Sequence, residues 1–257
     1  NENPELTTSE PYVMGSHATG SGAWCSGPED ISPPEYFWGY NRMTTIEGLF
    51  GAGDAVGGTP HAFSSGSFTE GRLAAKAACK YIDDGKGEGI VVSDEQIQRR
   101  KEEIYKPLEH YKVYRNEIVA GDVNPHYINP KQGLDRLQKL MDEYCGGVTV
   151  NYMTNEKLLS IGLKKLAIME EDLESLAAKD IHELLRAWEL KHRHRAAECV
   201  TQHTLFRKET RWPGYYYRGD AMKVDDENWH VLTVSRRDPA NGEYTMEKAP
   251  CYHLAGA

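Results

Sequence analysis

The sequence lacks paired cysteines, long apolar runs and an excess of basic residues. Its five cysteines are Cys25, Cys79, Cys145, Cys199 and Cys251, and none belongs to a CxxC pair. This spacing argues against an iron–sulfur or zinc site, so we expect no metal ligands in the chain. An odd, scattered count also argues against a disulfide framework and favours a reducing, cytoplasmic compartment.

The other two absences limit the partners. No window approaches the ~18–20 apolar residues that a membrane helix needs, so we expect no membrane insertion. The 257 residues carry a formal net charge of -9, whereas a general nucleic-acid binder would carry a basic stripe. Length and composition are those of a globular protein with one large domain or two ordinary ones.

What the sequence does have is a glycine-dense stretch, GLFGAGDAVGGTPHAFSSGSFTEGR, from Gly48 to Arg72. Residues Thr44–Ala52, which overlap its start, predict a short buried strand. Ser67–Glu70 has the spacing of a capping box and predicts a helix start. Because glycine has no Cβ, backbone can approach a flat or anionic ligand closely here. A helix start adds free N–H groups and a positive dipole end.

Two parts of this stretch have the chemistry of a ligand site. Asp54 follows the predicted strand, where a carboxylate can accept hydrogen bonds from ribose-type hydroxyls. The alternative is that Asp54 only caps the next turn. The run Ser64–Ser67 suits an anion or a carbonyl oxygen, although an ordinary N-cap has the same composition. Both parts lie on one loop, so both can contact one ligand.

Histidines offer further candidates. His17 and His61 lie among small residues that leave room for a ligand, and imidazole can carry a charge near neutral pH. For each, the alternative is a structural loop histidine. The run Lys191–Arg195 (KHRHR) falls on a predicted helix, where histidines two residues apart do not share a face. It therefore predicts a solvated or partner-facing patch, and no metal site.

From Ser93 onward the sequence predicts charged helices. Capping signals at Ser93, Asn129 and Asp180 predict three helix starts, and a further helix is predicted over 155–176. Together these helices make a bundle over residues 93–208. The tail, 209–257, predicts two strands, 229–235 and 243–248, around a DPANG turn. The fold class is mixed, α+β or α/β.

These motifs resemble the fumarate reductase/succinate dehydrogenase flavoprotein family. GLFGAGD and the EGRLA run from Glu70 match its GL(Y/F)xAGE and GRxA segments, and YVMG from Tyr12 is similar to its HYxMGG segment. Within the family, EPYVMGSHATGSGAW, GAGDAVGGTPHAFSSGSFTEGR and ETRWPGYYYRGD resemble the alpha subunits of dissimilatory adenylylsulfate reductases. The arginine that pins a dicarboxylate in the HGxNR segment has no counterpart in residues 61–65. Succinate and fumarate are therefore poor candidate substrates.

The resemblance implies an enzyme with FAD as its cofactor. The implied reaction is the reduction of adenylylsulfate to sulfite and AMP, or the reverse, through a flavin N5–sulfite adduct. Electrons would come from [4Fe–4S] clusters on a separate iron–sulfur beta subunit. The implied catalytic residues are His17, at the sulfate end, and, as a weaker candidate, His61. The implied flavin-binding residues are Gly53, Asp54, Ser65, Gly66, Ser67 and Phe68, with Asp54 on ribityl or ribose hydroxyls and the serine run on the isoalloxazine.

The resemblance also implies how the chain is divided. Residues 1–92 would complete an FAD-binding and capping region, 93–208 would form the helical bundle, and 209–257 a C-terminal extension with a hairpin. FAD needs a GxGxxG turn for its pyrophosphate, and the sequence contains none. We therefore expect the C-terminal portion of a longer flavoprotein subunit, with the N-terminal remainder as a partner. The alternatives are another flavin oxidoreductase of the wider family, or a partner-docking fragment without chemistry.

Overall fold

The computed structural model describes residues 21–57, 64–89, 91–120, 123–211 and 216–251. The chain separates into two compact units, Asn1–Val92 and Ser93–Ala257. Helices occur in both, and the strands of the described residues form two small two-stranded sheets. The architecture is therefore mixed helix and strand, as the sequence predicts. The division into three regions at residues 92 and 208 stays a prediction.

The first unit consists of loops packed on helix α1 (Ser64–Asp83). Before α1, the chain makes two 3-10 turns, Pro34–Tyr36 and Gly53–Ala55. The buried ring of Tyr81 on α1 contacts the ring of Phe50, with centroids 6.0 Å apart. The helix ends just before Gly85, which has φ +75° and whose N–H donates to the Ile82 carbonyl. A residue in this conformation is a common helix stop.

The predicted buried strand over Thr44–Ala52 is wrong. Only single β-bridges form there, between Cys25 and Thr44 and between Met43 and Phe50. Between them the chain turns at Gly48, at φ +78°, and Ile46 is 63% exposed. A strand requires continuous pairing with a neighbour, and the described residues supply no such neighbour for this segment.

The predicted start of α1 is wrong by one turn. The helix begins at Ser64, so the capping-box pattern Ser67–Glu70 lies inside it. The Thr69 hydroxyl donates to the Ser65 carbonyl over 2.9 Å, the i to i−4 bond of a residue within a helix. Glu70 is consequently free of any capping role and its side chain turns to a different partner, described below.

The second unit is built around four helices: α2 (Asp94–Tyr114), α3 (Pro130–Tyr144), α4 (Glu156–Leu173) and α5 (Ile181–Phe206). Full capping boxes at Ser93 and Asn129, and side-chain caps at Asn155 and Asp180, satisfy their first N–H groups. The four predicted helices are thus confirmed.

The core of this unit is the apolar contact between α3, α4 and α5. The cluster comprises Leu137, Leu140, Leu166, Met169, Leu173, Leu176, Ala187, Leu190 and Ala197. Helix α2 joins it through the Trp188 indole N–H, which donates to the Ile104 carbonyl. Packing of facing apolar stripes contributes most of the stability of such helices.

The interpretation of Lys191–Arg195 as a solvated patch is wrong for one member. His194 is 2% exposed, and its Nε2 lies 2.8 Å from the Leu166 carbonyl oxygen. His192 and Arg193 are exposed. The histidines differ because α5 turns about 100° per residue, so positions two apart lie on opposite faces. His194 is therefore a structural histidine that joins α5 to α4.

The described part of the second unit also contains four strands and one turn of α-helix. Strand β1 (Met153–Thr154) pairs in parallel with β2 (Tyr217–Arg218). After helix α6 (Asp226–Trp229), β3 (Val231–Arg237) and β4 (Tyr244–Pro250) form an antiparallel hairpin with Arg237 opposite Tyr244. The predicted hairpin around DPANG is confirmed.

A fully buried arginine anchors this part to the helices. Arg218 donates to the carbonyls of Leu205 and Arg207 at the end of α5, over 3.2 and 2.7 Å. Its Nε also donates to Asp220 over 2.9 Å. This hydrogen bond from Arg218 lowers the pKa of Asp220 to about 2, against a smaller opposing effect of burial. Strand β2 is thereby joined to the end of the longest helix.

Candidate functional site

The glycine turn Gly51–Ala55 is held by backbone hydrogen bonds on both sides. Gly51 donates to the Arg42 carbonyl over 3.0 Å, and Ala23 donates to the Ala55 carbonyl over 2.8 Å. Gly53 has φ +67°, a conformation that side chains rarely adopt. The turn therefore needs glycine at this position, and Asp54 is presented directly after it.

The turn packs tightly against the first part of α1. A Cβ placed on Gly53 would lie 3.0 Å from the Ser67 hydroxyl oxygen, closer than side chains normally approach. A Cβ on Gly51 would lie 2.8 Å from the sulfur of Cys25. Bare backbone at Gly53 thus allows the turn to pack against Ser67 on α1. The predicted close approach of this backbone to a ligand stays a prediction.

Glu70 and Arg42 are parts of this site that the sequence reasoning missed. Glu70 is 4% exposed, and its Oε2 accepts the Gly53 N–H over 2.8 Å. The other carboxylate oxygen lies 3.7 Å from Nη1 of Arg42. The capping-box spacing assigned Glu70 to the cap of its own helix. Nothing in the sequence therefore indicated a hydrogen bond to Gly53, 17 residues earlier.

The Arg42 charge also acts on a neighbouring thiol. Burial raises the pKa of Cys25, while the positive charge of Arg42 opposes this effect. Among the described residues, no group of three His, Cys, Asp or Glu side chains could hold a metal ion. The chemistry present here is hydrogen bonding by backbone, carboxylate and hydroxyl groups.

Apart from the buried contact between Glu70 and Gly53, several polar groups of the site are exposed to solvent. Asp54 and Ser65 are exposed, while Gly66 and Ser67 are half-buried. Phe68 is 80% exposed, an unusual state for a large aromatic side chain on a helix packed against its neighbours. An exposed ring beside a carboxylate, a hydroxyl and a helix N-terminus fits a flat ligand with polar edges.

The two candidate catalytic histidines cannot be placed. His17 and His61 both lie outside the described residues. The structure thus brings together Gly53, Asp54 and the run Ser65–Phe68, and their contact with a ligand stays a prediction.

Among the described residues, no helix has the length and hydropathy of a membrane span.

The chain is similar to known flavoproteins, and its match to a family model lies in the second unit, outside residues 51–70. Residues 134–253 match the model described as the fumarate reductase flavoprotein C-terminal region. The adenylylsulfate reductase alpha subunit of Megalodesulfovibrio gigas is 41% identical over 97% of this chain. The alignment covers 38% of that relative, so the chain spans well under half of its length.

Solved structures give the same result. Adenylylsulfate reductase from Archaeoglobus fulgidus has 50% identity and a TM-score of 0.87, over 95% of this chain and 39% of that one. An adenosine-5-phosphosulfate reductase in a covalent complex with sulfite has 49% identity and a TM-score of 0.87, with the same coverage of both chains. The likeness includes both units. Residues 134–253 therefore match the fumarate reductase flavoprotein C-terminal model, and nearly the whole chain is similar to solved adenylylsulfate reductases.

Proposed function

We propose that this chain takes part in the flavin-dependent reduction of adenylylsulfate to sulfite and AMP, or in the reverse reaction. The observation that carries the proposal is the likeness of 95% of the chain, at 50% identity, to adenylylsulfate reductase. A second relative in that enzyme class has sulfite bound covalently. A sulfur oxyanion is accordingly the proposed substrate class.

FAD, when bound, would supply two-electron redox chemistry. Asp54 would accept hydrogen bonds from ribityl or ribose hydroxyls, because its carboxylate is exposed beside the glycine turn. Ser65, Gly66 and Ser67 would meet the isoalloxazine edge, and Phe68 would cover apolar ring surface. The N-terminal end of α1 would favour negative charge near N1.

Gly53 has a different role in this proposal. Its N–H is already bonded to Glu70, so it would serve the site through its left-handed conformation and close approach, and Asp54 would make the polar contact. His17 would help to hold the sulfate end of the substrate, with His61 as the weaker candidate.

The proposed assembly has two further parts. An iron–sulfur beta subunit with [4Fe–4S] clusters would deliver electrons, and an N-terminal remainder of the flavoprotein would bind the FAD pyrophosphate. The compartment would be the cytoplasm. In support of a reducing environment, all five cysteines lie in the described residues and all are free thiols.

The test uses the flavoprotein subunit that carries this chain, assembled with its partner. We expect Asp54→Ala to weaken FAD binding about ten- to a hundredfold, since a hydrogen bond to a charged group contributes ~1.5–3 kcal/mol. His17→Ala should leave the flavin in place and sharply reduce adenylylsulfate turnover. Flavin fluorescence titration and steady-state turnover measure the two effects.

The matched control is Asp83→Ala, an exposed aspartate at the other end of α1. It should change neither quantity. Unchanged FAD affinity in Asp54→Ala would remove Asp54 from the flavin site, and unchanged turnover in His17→Ala would remove His17 from the substrate site. A subunit that stays colourless after incubation with FAD and removal of free flavin, yet still binds its partner, would favour the docking alternative.

A further inference from the structure

We infer that Glu70 is a positioning residue that sets the distance between the two parts of the proposed flavin site. The inference rests on the proposed function, because it concerns how Asp54 and the start of α1 reach one ligand. It starts from the burial of Glu70, which is 4% exposed. A carboxylate is rarely so buried unless it has specific partners.

Both oxygens of this carboxylate face the glycine turn and its neighbour. Oε2 accepts the Gly53 N–H, and Oε1 faces the Arg42 guanidinium. Arg42 is itself paired with the turn, because its carbonyl accepts the Gly51 N–H. One side chain of α1 thus contacts the turn directly at Gly53 and indirectly through Arg42.

Because Glu70 lies on α1, its contacts join this helix to the glycine turn. Glu70 follows the run Ser65–Phe68 within little more than one helical turn, so the two are rigidly related. Gly53 directly precedes Asp54 in the chain. The Glu70–Gly53 hydrogen bond therefore joins the helix that carries the serine run to the turn that carries Asp54.

The contacts of Glu70 also hold two residues, Gly53 and Arg42, whose backbone has a positive φ. Gly53 has φ +67° and Arg42 has φ +63°, and the left-handed region is unfavourable for a residue with a side chain. Nε of Arg42 is buried without a partner among the described residues. Glu70 compensates by offering its carboxylate to the same guanidinium. Without Glu70, both the Gly53 N–H and the Arg42 charge would lose their buried partner.

Three substitutions separate hydrogen bonding from charge. Glu70→Gln keeps the length and an acceptor oxygen, Glu70→Asp keeps the charge but is one methylene too short, and Glu70→Leu removes both. If Glu70 acts by positioning through the Gly53 bond, Gln should stay close to wild type, because the 3.7 Å contact with Arg42 is longer than a hydrogen bond and 20% of the Arg42 side chain is exposed to solvent. Asp and Leu should both weaken FAD binding about tenfold, which corresponds to ~1.4 kcal/mol.

The measurements use the assembled flavoprotein with its partner subunit. FAD affinity comes from fluorescence titration, and the visible circular dichroism of bound flavin reports the environment of the ring. Amide hydrogen exchange at Gly53, in protein freed of flavin, reports the hydrogen bond without any ligand. Faster exchange is expected for Asp and Leu, and protection close to wild type for Gln. Glu88→Leu, at an exposed position of the same unit, is the control and should change nothing.

Two results would overturn the inference. One is wild-type FAD affinity and dichroism in Glu70→Leu. The other is Gln as damaging as Leu while Asp is harmless, which would show that charge acts and the hydrogen bond does not. If Glu70→Leu fails to assemble, the Asp and Gln pair decides alone. Failure of the proposed function looks different: Asp54→Ala would then leave FAD binding unchanged, while Gly53 exchange still responds to Glu70.

Discussion

At the scale of single residues, the buried charged side chains among the described residues form hydrogen bonds with specific backbone groups. Glu70 accepts the Gly53 N–H, and Glu209, fully buried, accepts the Asp225 N–H. Arg218 donates to carbonyls at the end of α5. Each charge joins segments distant in sequence, which is why removing one member of such a set is costly.

Asp220 gives a pH-dependent prediction. Its folded pKa of about 2 is below the ordinary value of 3.8, so its contribution to stability is present above about pH 4 and is lost as the pH falls towards 2. Because about a third of the side chain is exposed, solvent screening reduces this contribution to about 1 kcal/mol.

We therefore expect Asp220→Asn to lower the free energy of unfolding by about 1 kcal/mol at pH 7. The difference from wild type should vanish near pH 2. Urea unfolding followed by circular dichroism across this range measures it. Asp135→Asn, at an exposed position on α3, is the control, and an equal loss there would show that general charge, and not the Arg218 contact, is responsible.

At the scale of elements, the helices of the second unit are predictable because their signals are local. Ser93, Asn129 and Asp180 each bond to N–H groups within three residues, so sequence spacing alone identifies them. Residues Thr44–Ala52 have no such signal, since a strand depends on a distant partner. The burial of His194 likewise depends on which face of α5 meets α4.

The candidate site divides in the same way. The glycine turn and the serine run could be predicted, because a positive φ favours glycine and a helix start favours serine. The contact between Glu70 and Gly53 could not, because it joins two segments 17 residues apart and the spacing Ser67–Glu70 had a sufficient local explanation. Long-range pairs of this kind require coordinates.

Helix α4 supplies a prediction about the core. Leu166 is 1% exposed within the contact of α3, α4 and α5, whereas Ile168, two residues on, is 59% exposed. Leu166→Ala should lower the free energy of unfolding by about 2–5 kcal/mol through the cavity it leaves. Ile168→Ala, the matched control on the same helix, should stay within about 0.5 kcal/mol. Urea unfolding compares them, and a comparable loss for Ile168 would mean that this face of α4 is covered.

At the scale of the whole molecule, the chain combines a loop-and-helix unit carrying the proposed ligand site with a helical unit. It matches 38–39% of the length of its adenylylsulfate reductase relatives. Its sequence contains no GxGxxG turn, and FAD needs such a turn for the pyrophosphate. Under the proposed function, the groups gathered at Gly53 and the start of α1 would address other parts of the cofactor.

We accordingly expect the 257-residue polypeptide alone to bind FAD poorly. A fluorescence titration should show much weaker binding than in the flavoprotein subunit that carries this chain, measured side by side as the control. Full stoichiometric binding by the polypeptide would contradict the expectation and would show that the glycine turn and α1 suffice for affinity.

The burial of Arg218, in strand β2, has a consequence for the stability of the second unit. Its acceptors, the carbonyls of Leu205 and Arg207, are brought together only once the last turn of α5 has wound. Without that turn, burial would leave the guanidinium without these hydrogen-bond acceptors, which is unfavourable for a charged group. Fraying of the last turn of α5 would therefore remove the carbonyl acceptors of Arg218 and release β2 from the helices.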